Sequence, residues 1–96
     1  MLPRYYEFYN PVKVLSGENA LENLPHELEH LHASRPMLLT NRELTQIGLT
    51  GVVEAALKSA GLALAARFED IPPDSSVHVV NAAGRLYREA NCDAII

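Results

Sequence analysis

The sequence lacks most of the features that announce a function at first sight. It has one cysteine, Cys92, so no internal disulfide can form and the chain is expected in a reducing, cytoplasmic setting. It lacks an excess of positive charge. Eight Lys and Arg stand against twelve Asp and Glu, a formal net charge of −4. Arg35, Arg42, Lys58, Arg67, Arg85 and Arg88 form no run, so neither nucleic acid nor an anionic membrane is expected as a partner. No stretch approaches the ~20 apolar residues of a membrane span. The opening "MLPRYYEFYNPVK" has no long apolar core of the kind a secretory signal carries. Gly48, Gly51 and Gly61 are too dispersed for GxGxxG or GxxxxGK[ST], so no complete phosphate loop is present.

What is present is ordinary globular material. The 96 residues are 48% hydrophobic and 21% charged, enough for one small domain near the lower limit of a self-sufficient core. Residues 5–9, "YYEFY", and the run "VKVLSG" read as two short strands split by Asn10-Pro11. "ENALENLPHELEHLHAS" reads as helix, with Ala20, Leu21, Leu24, Leu28 and Leu31 on one stripe. Pro25 should kink or restart it, with Asn23 or Leu24 as the new cap. "PMLLT" reads as a buried strand followed by the loop "TNREL". "TGVVEAALKSAG" predicts a helix capped by Thr50 and closed by Gly61.

"LALAARFED" alternates as a strand should, with Leu62, Leu64, Ala66 and Phe68 on one side. A last helix from Ser75 or Ser76 places Val77, Val80, Ala83, Gly84 and Tyr87 together and ends at Asn91. "CDAII" then reads as the start of a central, buried strand. Strands alternating with helices imply right-handed βαβ crossovers and a parallel sheet. The expected fold class is α/β: a Rossmann-like half-domain of βαβ units with a short amino-terminal pair of strands, cut after its third parallel strand.

Few residues carry obvious chemistry. His26 and His30 are four apart on a helix, a spacing that can present two imidazoles to one metal. Glu22, Glu27 and Glu29 surround them and no remote partner is evident, which reads as a solvated face. His78 is isolated. Cys92 has no CxxC partner or nearby base and reads as a small apolar residue at a strand start. In open α/β sheets ligands bind beyond the carboxyl ends of the strands. Two loops lie there. "TNREL" offers Thr40 and Asn41 to an adenosine ribose, and "EDIPPDSS" places Asp74, Ser75 and Ser76 at a helix start. The same residues are also common turn and cap formers, so both readings stand at this point.

The ordered stretches "FYNPVKVLSGENALENLPHEL", "MLLTNRELTQIGLTGVVEAALKSAG", "FEDIPPDSSVHVV" and "YREANCDAII" resemble the amino-terminal part of iron-containing (group III) alcohol dehydrogenases. The resemblance covers nearly the whole chain in the family's order. It implies that residues 1–96 are a partial nucleotide-binding domain of the dehydroquinate synthase-like kind. In the family the "CDAII" strand runs into a Gly-Gly-Gly-Ser loop that grips the cofactor pyrophosphate.

The resemblance also implies a reaction: reversible hydride transfer between NAD or NADP and a small alcohol–aldehyde pair. Fe2+ or Zn2+ acts there as Lewis acid. The metal ligands, an Asp and three His, belong to a helical carboxyl-terminal domain absent here, so no local histidine is a ligand and no catalytic residue lies in this chain. The cofactor-binding residues it implies are Thr40, Asn41 and Leu44 in the first loop, and Asp74, Ser75 and Ser76 in the second.

Two departures matter. Asn41 stands where relatives often have an Asp that bonds the ribose, which removes repulsion against a 2′-phosphate. Asp74 stands where many relatives read Asn, and Ser76 keeps a hydroxyl at a Thr position. As a fragment the chain is expected to be inactive, and to form a homodimer or otherwise self-associate through strand edges. The alternatives are a non-catalytic α/β interaction module, or a piece of a related glycerol dehydrogenase or maleylacetate reductase.

Overall fold

The computed structural model describes residues 4–96. After a 3₁₀ turn at Ala20–Asn23 come α1 (Leu24–His30), β1 (Pro36–Leu39), α2 (Arg42–Gln46), α3 (Leu49–Lys58), β2 (Ala66–Phe68), α4 (Val77–Glu89) and β3 (Ala94–Ile95). The three strands form one sheet in the order β2-β1-β3, and both pairings are parallel, with Met37 opposite Ala66 and Ile95. Parallel strands need crossover segments; α2 and α3 make the first and α4 the second.

Side-chain alternation along the strands sorts the helices onto two faces. Ala94 and Ile96 pack with Leu28 of α1 and Leu57 of α3 around the buried core of Leu28, Ala33 and Leu57. Met37, Leu39 and Ile95 point the other way and line a groove with Val79, Ala83 and Tyr87 of α4. The sheet is thus sandwiched between helices, as its apolar strands require.

Several sequence expectations hold. Pro25 sits in the first turn of α1 with Asn23 as N-cap, where its missing N–H costs nothing. Gly61 adopts a left-handed φ of 74°, and the next residue's N–H returns to the Leu57 carbonyl at 2.9 Å, closing α3. Asn91 ends α4 with φ 53°.

Others are corrected. Residues 5–16 form no strand, and Tyr5, Tyr6, Phe8 and Tyr9 are 78–82% exposed. Aromatic propensity cannot make a ladder where no strand edge lies beside it. The "TNREL" loop is mostly helix α2. Thr50 lies inside α3 and is buried, while Gly48, in a left-handed φ of 94°, holds the N-cap position. The strand after Gly61 is only Ala66–Phe68, because Leu62 closes the α3 turn. Val77 is exposed and Val80 largely so, while Ala83, Gly84 and Tyr87 line the groove as expected, joined by Val79, and Ala82 and Leu86 are half-buried. Among the described residues β3 pairs only with β1, and Ile95 is 59% exposed.

At the amino edge of the sheet, Asp93 joins two connections 58 and 59 residues apart. Its carboxylate accepts from the Ser34 N–H at 2.9 Å and the Arg35 N–H at 2.7 Å. In return the Arg35 guanidinium donates to the carbonyls of Asn91 (2.9 Å) and Ala90 (2.7 Å). The Ser34 and then the Arg35 backbone bonds lower the Asp93 pKa from its ordinary 3.8. A depressed carboxylate stabilises the fold above its unfolded pKa, and that contribution disappears as pH falls through the folded value. Urea unfolding of Asp93→Asn is therefore expected to show lower stability at neutral pH. Its further loss of stability below about pH 5 should be smaller than that of the native chain. Equal acid sensitivity in both would contradict this role.

Candidate functional site

The carboxyl end of the sheet is built by three short segments. β1 ends at Leu39, and the buried Thr40 follows, donating its N–H to the Phe68 carbonyl at 2.9 Å. That bond ties the outlets of β1 and β2 together. Asn41 then turns the chain into α2, and its Oδ1 accepts from the Leu44 N–H at 2.8 Å. Beyond β2, Asp70 forms an isolated antiparallel bridge with Asn41. It also holds Arg42, whose Nε and Nη2 approach one carboxylate oxygen at 3.0 and 2.9 Å.

These segments enclose an open cleft of about 570 Å³ lined by Asn41, Arg42, Glu43, Glu69, Asp70, Ile71, Pro72 and Pro73. α3 supports it from behind. The Thr45 hydroxyl reaches the Asn41 carbonyl at 3.3 Å, and a carbonyl can only accept, so Thr45 spends its one hydrogen there. The buried Thr50 hydroxyl must then be the donor in its 2.9 Å bond to Thr45. The hydroxyl relay ties α3 to the residue that opens the cleft.

The donor set of Asn41 has a definite sense. Oδ1 spends one of its two lone pairs on a backbone N–H, while both Nδ2 hydrogens remain for a ligand. They suit an acceptor such as a ribose or phosphate oxygen. Acids are numerous here, but most are partnered: Arg42 faces Asp70, and Arg67 bonds Glu54 at 2.7 Å and Glu69 at 3.0 Å.

The residues expected from the sequence divide into two groups. Asn41 lines the cleft, Thr40 is buried just before it without lining it, and Leu44 contributes its N–H to the Asn41 cap. In the second loop, the Ser76 hydroxyl accepts from the Val79 N–H at 3.3 Å and so caps α4. Ser75 lines the apolar groove of about 360 Å³ beneath α4, beside Leu39 and Ile71. Asp74 is exposed and borders neither hollow. Arg42 and Asp70 are cleft residues that sequence reasoning did not assign. Asp70 lies just past the end of β2 as Asn41 does past β1, and that parallel placement was the available signal.

Among the described residues no group of three or more His, Cys, Asp or Glu could hold a metal ion. The described residues therefore offer no complete ligand set for a catalytic metal. Nor is any described helix long and apolar enough to cross a membrane. Cys92 is a free, half-buried thiol.

A family model for iron-containing alcohol dehydrogenases matches residues 11–96. A choline dehydrogenase of Bacillus subtilis (strain 168) is 25% identical over 95 residues, covering 99% of this chain and 23% of that relative. NADH-dependent butanol dehydrogenase A of Thermotoga maritima superposes with a TM-score of 0.84 at 17% identity, over 95% of this chain and 23% of that one. The sulfoacetaldehyde reductase of Bifidobacterium kashiwanohense, solved in complex with NAD+, gives 0.81 at 16% identity, over 97% and 24%. The maleylacetate reductase of Agrobacterium tumefaciens gives 0.74 at 23% identity, over 99% and 25%. These superpositions show a shared Rossmann-like α/β fold. The chain spans about a quarter of the length of the proteins it matches.

Proposed function

The chain belongs to the iron-containing alcohol dehydrogenase family, and from that membership we propose that it forms the adenosine end of an NAD(P) site in a metal-dependent dehydrogenase. The observation that carries the reading is the cleft at the outlets of β1 and β2, with the Asn41 amide at its edge. In open parallel sheets that is where nucleotides sit.

In this reading Thr40, Asn41 and Leu44 border the ribose, and the second loop, Asp74 to Ser76, flanks the cofactor from the β2 side. The nicotinamide of a bound cofactor supplies the hydride chemistry between an alcohol and an aldehyde. This chain's own residues orient the distal end. No catalytic step is assigned to iron or zinc, because the described residues hold no group of three or more ligating side chains. The chain alone is inactive in this account, and its setting is cytoplasmic.

Pairing with a second copy is a companion proposal, favoured by the exposed aromatics of residues 5–9 and the exposed Ile95 of β3. An open strand edge invites association. A strictly monomeric chain at high concentration, by light scattering, contradicts that companion proposal alone.

The test of the main proposal uses the 96-residue chain with NADH, NADPH and a set of small alcohols. The expected result is saturable enhancement of nicotinamide fluorescence without alcohol-dependent reduction of NAD+ or NADP+. No nucleotide binding at all overturns the site. Turnover at the rate of an intact relative overturns the inactivity of the fragment.

A further inference from the structure

The nucleotide reading makes no use of α1, yet that short helix carries the most sharply defined pair of ligating atoms in the molecule. Leu24 and Leu28 turn into the core, which leaves the exposed His26 and His30 together on the outer side. Their Nε2 atoms are 3.0 Å apart. The rings meet edge to face, with centroids 4.5 Å apart and an interplanar angle of 90°.

Two imidazole nitrogens on one ion, at metal–nitrogen lengths of about 2.0–2.1 Å and bond angles between square and tetrahedral, lie about 2.9–3.4 Å from one another. The observed separation already falls in that interval. Helical spacing sets it, and the burial of Leu28 between the two histidines anchors the helix. Each ring must turn so that its Nε2 lone pair points about 35–45° off the N···N line toward a shared ion, and both rings face solvent.

We propose that His26 and His30 form a two-ligand site for a divalent transition-metal ion of the imidazole-preferring kind, such as Ni2+, Cu2+ or Zn2+. Water fills the remaining coordination positions. In the metal-free chain one ring donates its Nε2 hydrogen to the other. On binding, the donor ring gives its Nε2 proton to water and takes one up at Nδ1, so both rings would be neutral Nδ1–H tautomers with Nε2 facing the ion. Glu27, between the two histidines in sequence, is paired with Lys13 at 2.6 Å. Glu29 and His32 border the same depression of about 380 Å³. Chelation across one turn also clamps α1, so the ion stabilises the folded state by mass action.

The experiment titrates the untagged 96-residue chain with Ni2+ at pH 7.5 by calorimetry, beside His26→Gln, His30→Gln, His78→Gln and Cys92→Ser. The native chain should bind one equivalent and melt at a higher temperature with metal present. Either His26→Gln or His30→Gln should weaken binding on the order of 10²-fold, the usual gain from joining two ligands. His78→Gln and Cys92→Ser should bind as the native chain does. All four altered residues lie at the surface or in half-exposed positions, and circular dichroism confirms that each variant folds. Undiminished binding by both His26→Gln and His30→Gln overturns the proposal, as does loss of binding in His78→Gln or Cys92→Ser.

Discussion

Leu57→Ala is expected to lower the unfolding free energy by about 2–5 kcal/mol, measured by urea denaturation. Leu57 is 0% exposed and sits at the centre of the core with Leu28 and Ala33. Leu24, Val53, Leu62, Leu64, Ala94 and Ile96 close around it. Those neighbours come from both helices of this face, from the segment before β2 and from the end of β3. They are held from several directions, so none can swing inward to fill the space, and the cavity term is felt in full. A domain of this size has about 5–15 kcal/mol in total, and small ones lie low in that range. The substitution should therefore remove a large fraction of the chain's stability at 25 °C. Leu31→Ala is the control: Leu31 is 72% exposed, and its loss should change stability by no more than about 0.5 kcal/mol. A cost under about 1 kcal/mol for Leu57→Ala, too small for a large-to-small change at a buried site, would contradict this account of the core.

Asn41→Asp is expected to shift cofactor preference away from NADP and toward NAD. In the native chain Oδ1 is held by the Leu44 N–H, and Asn41 offers a ligand the two uncharged Nδ2 donors. An aspartate can keep the cap with one oxygen and turn the second outward. That oxygen accepts from ribose hydroxyls and repels a 2′-phosphate. At about 4 Å two unit charges interact by about 1 kcal/mol in water and about 4 kcal/mol near a protein surface. The NADP-to-NAD affinity ratio should thus fall about 10-fold or more, while stability is preserved because Asp is as good a cap as Asn. The ratio is read from parallel titrations of 2′-phosphorylated and unphosphorylated adenosine nucleotides. An unchanged ratio would mean that residue 41 does not face the ribose.

Much of the interior was legible because apolar periodicity reports burial directly. The run of Met37 and Leu38 reads as a covered strand, Pro25 and Gly61 mark helix ends by backbone geometry that few other residues supply, and Ser76 marks one by its capping hydroxyl. What escaped was set by partners distant in sequence. The aromatic segment from Tyr5 to Tyr9 has strand propensity, but a strand exists only where another edge receives its hydrogen bonds. α2 spans five residues, too few to show a helical period, and it forms because Asn41 caps it and Thr45 and Thr50 dock it to α3. The cleft was half legible. Asn41 and Thr40 follow an obvious strand, whereas Asp70 and Arg42 join them only through a bridge across 28 residues. The Asp93 clamp escaped for the same reason.

The central claim, that the outlets of β1 and β2 receive the adenosine end of a dinucleotide, is tested most directly by amide NMR. The measurement is a ¹H–¹⁵N spectrum of the isotopically labelled chain titrated with NADH or NADPH. The account predicts saturable shifts at Thr40 to Leu44 and Glu69 to Ser76, with the α1 amides unmoved. Saturable shifts elsewhere that spare both loops, or none at all in a folded chain, would contradict it.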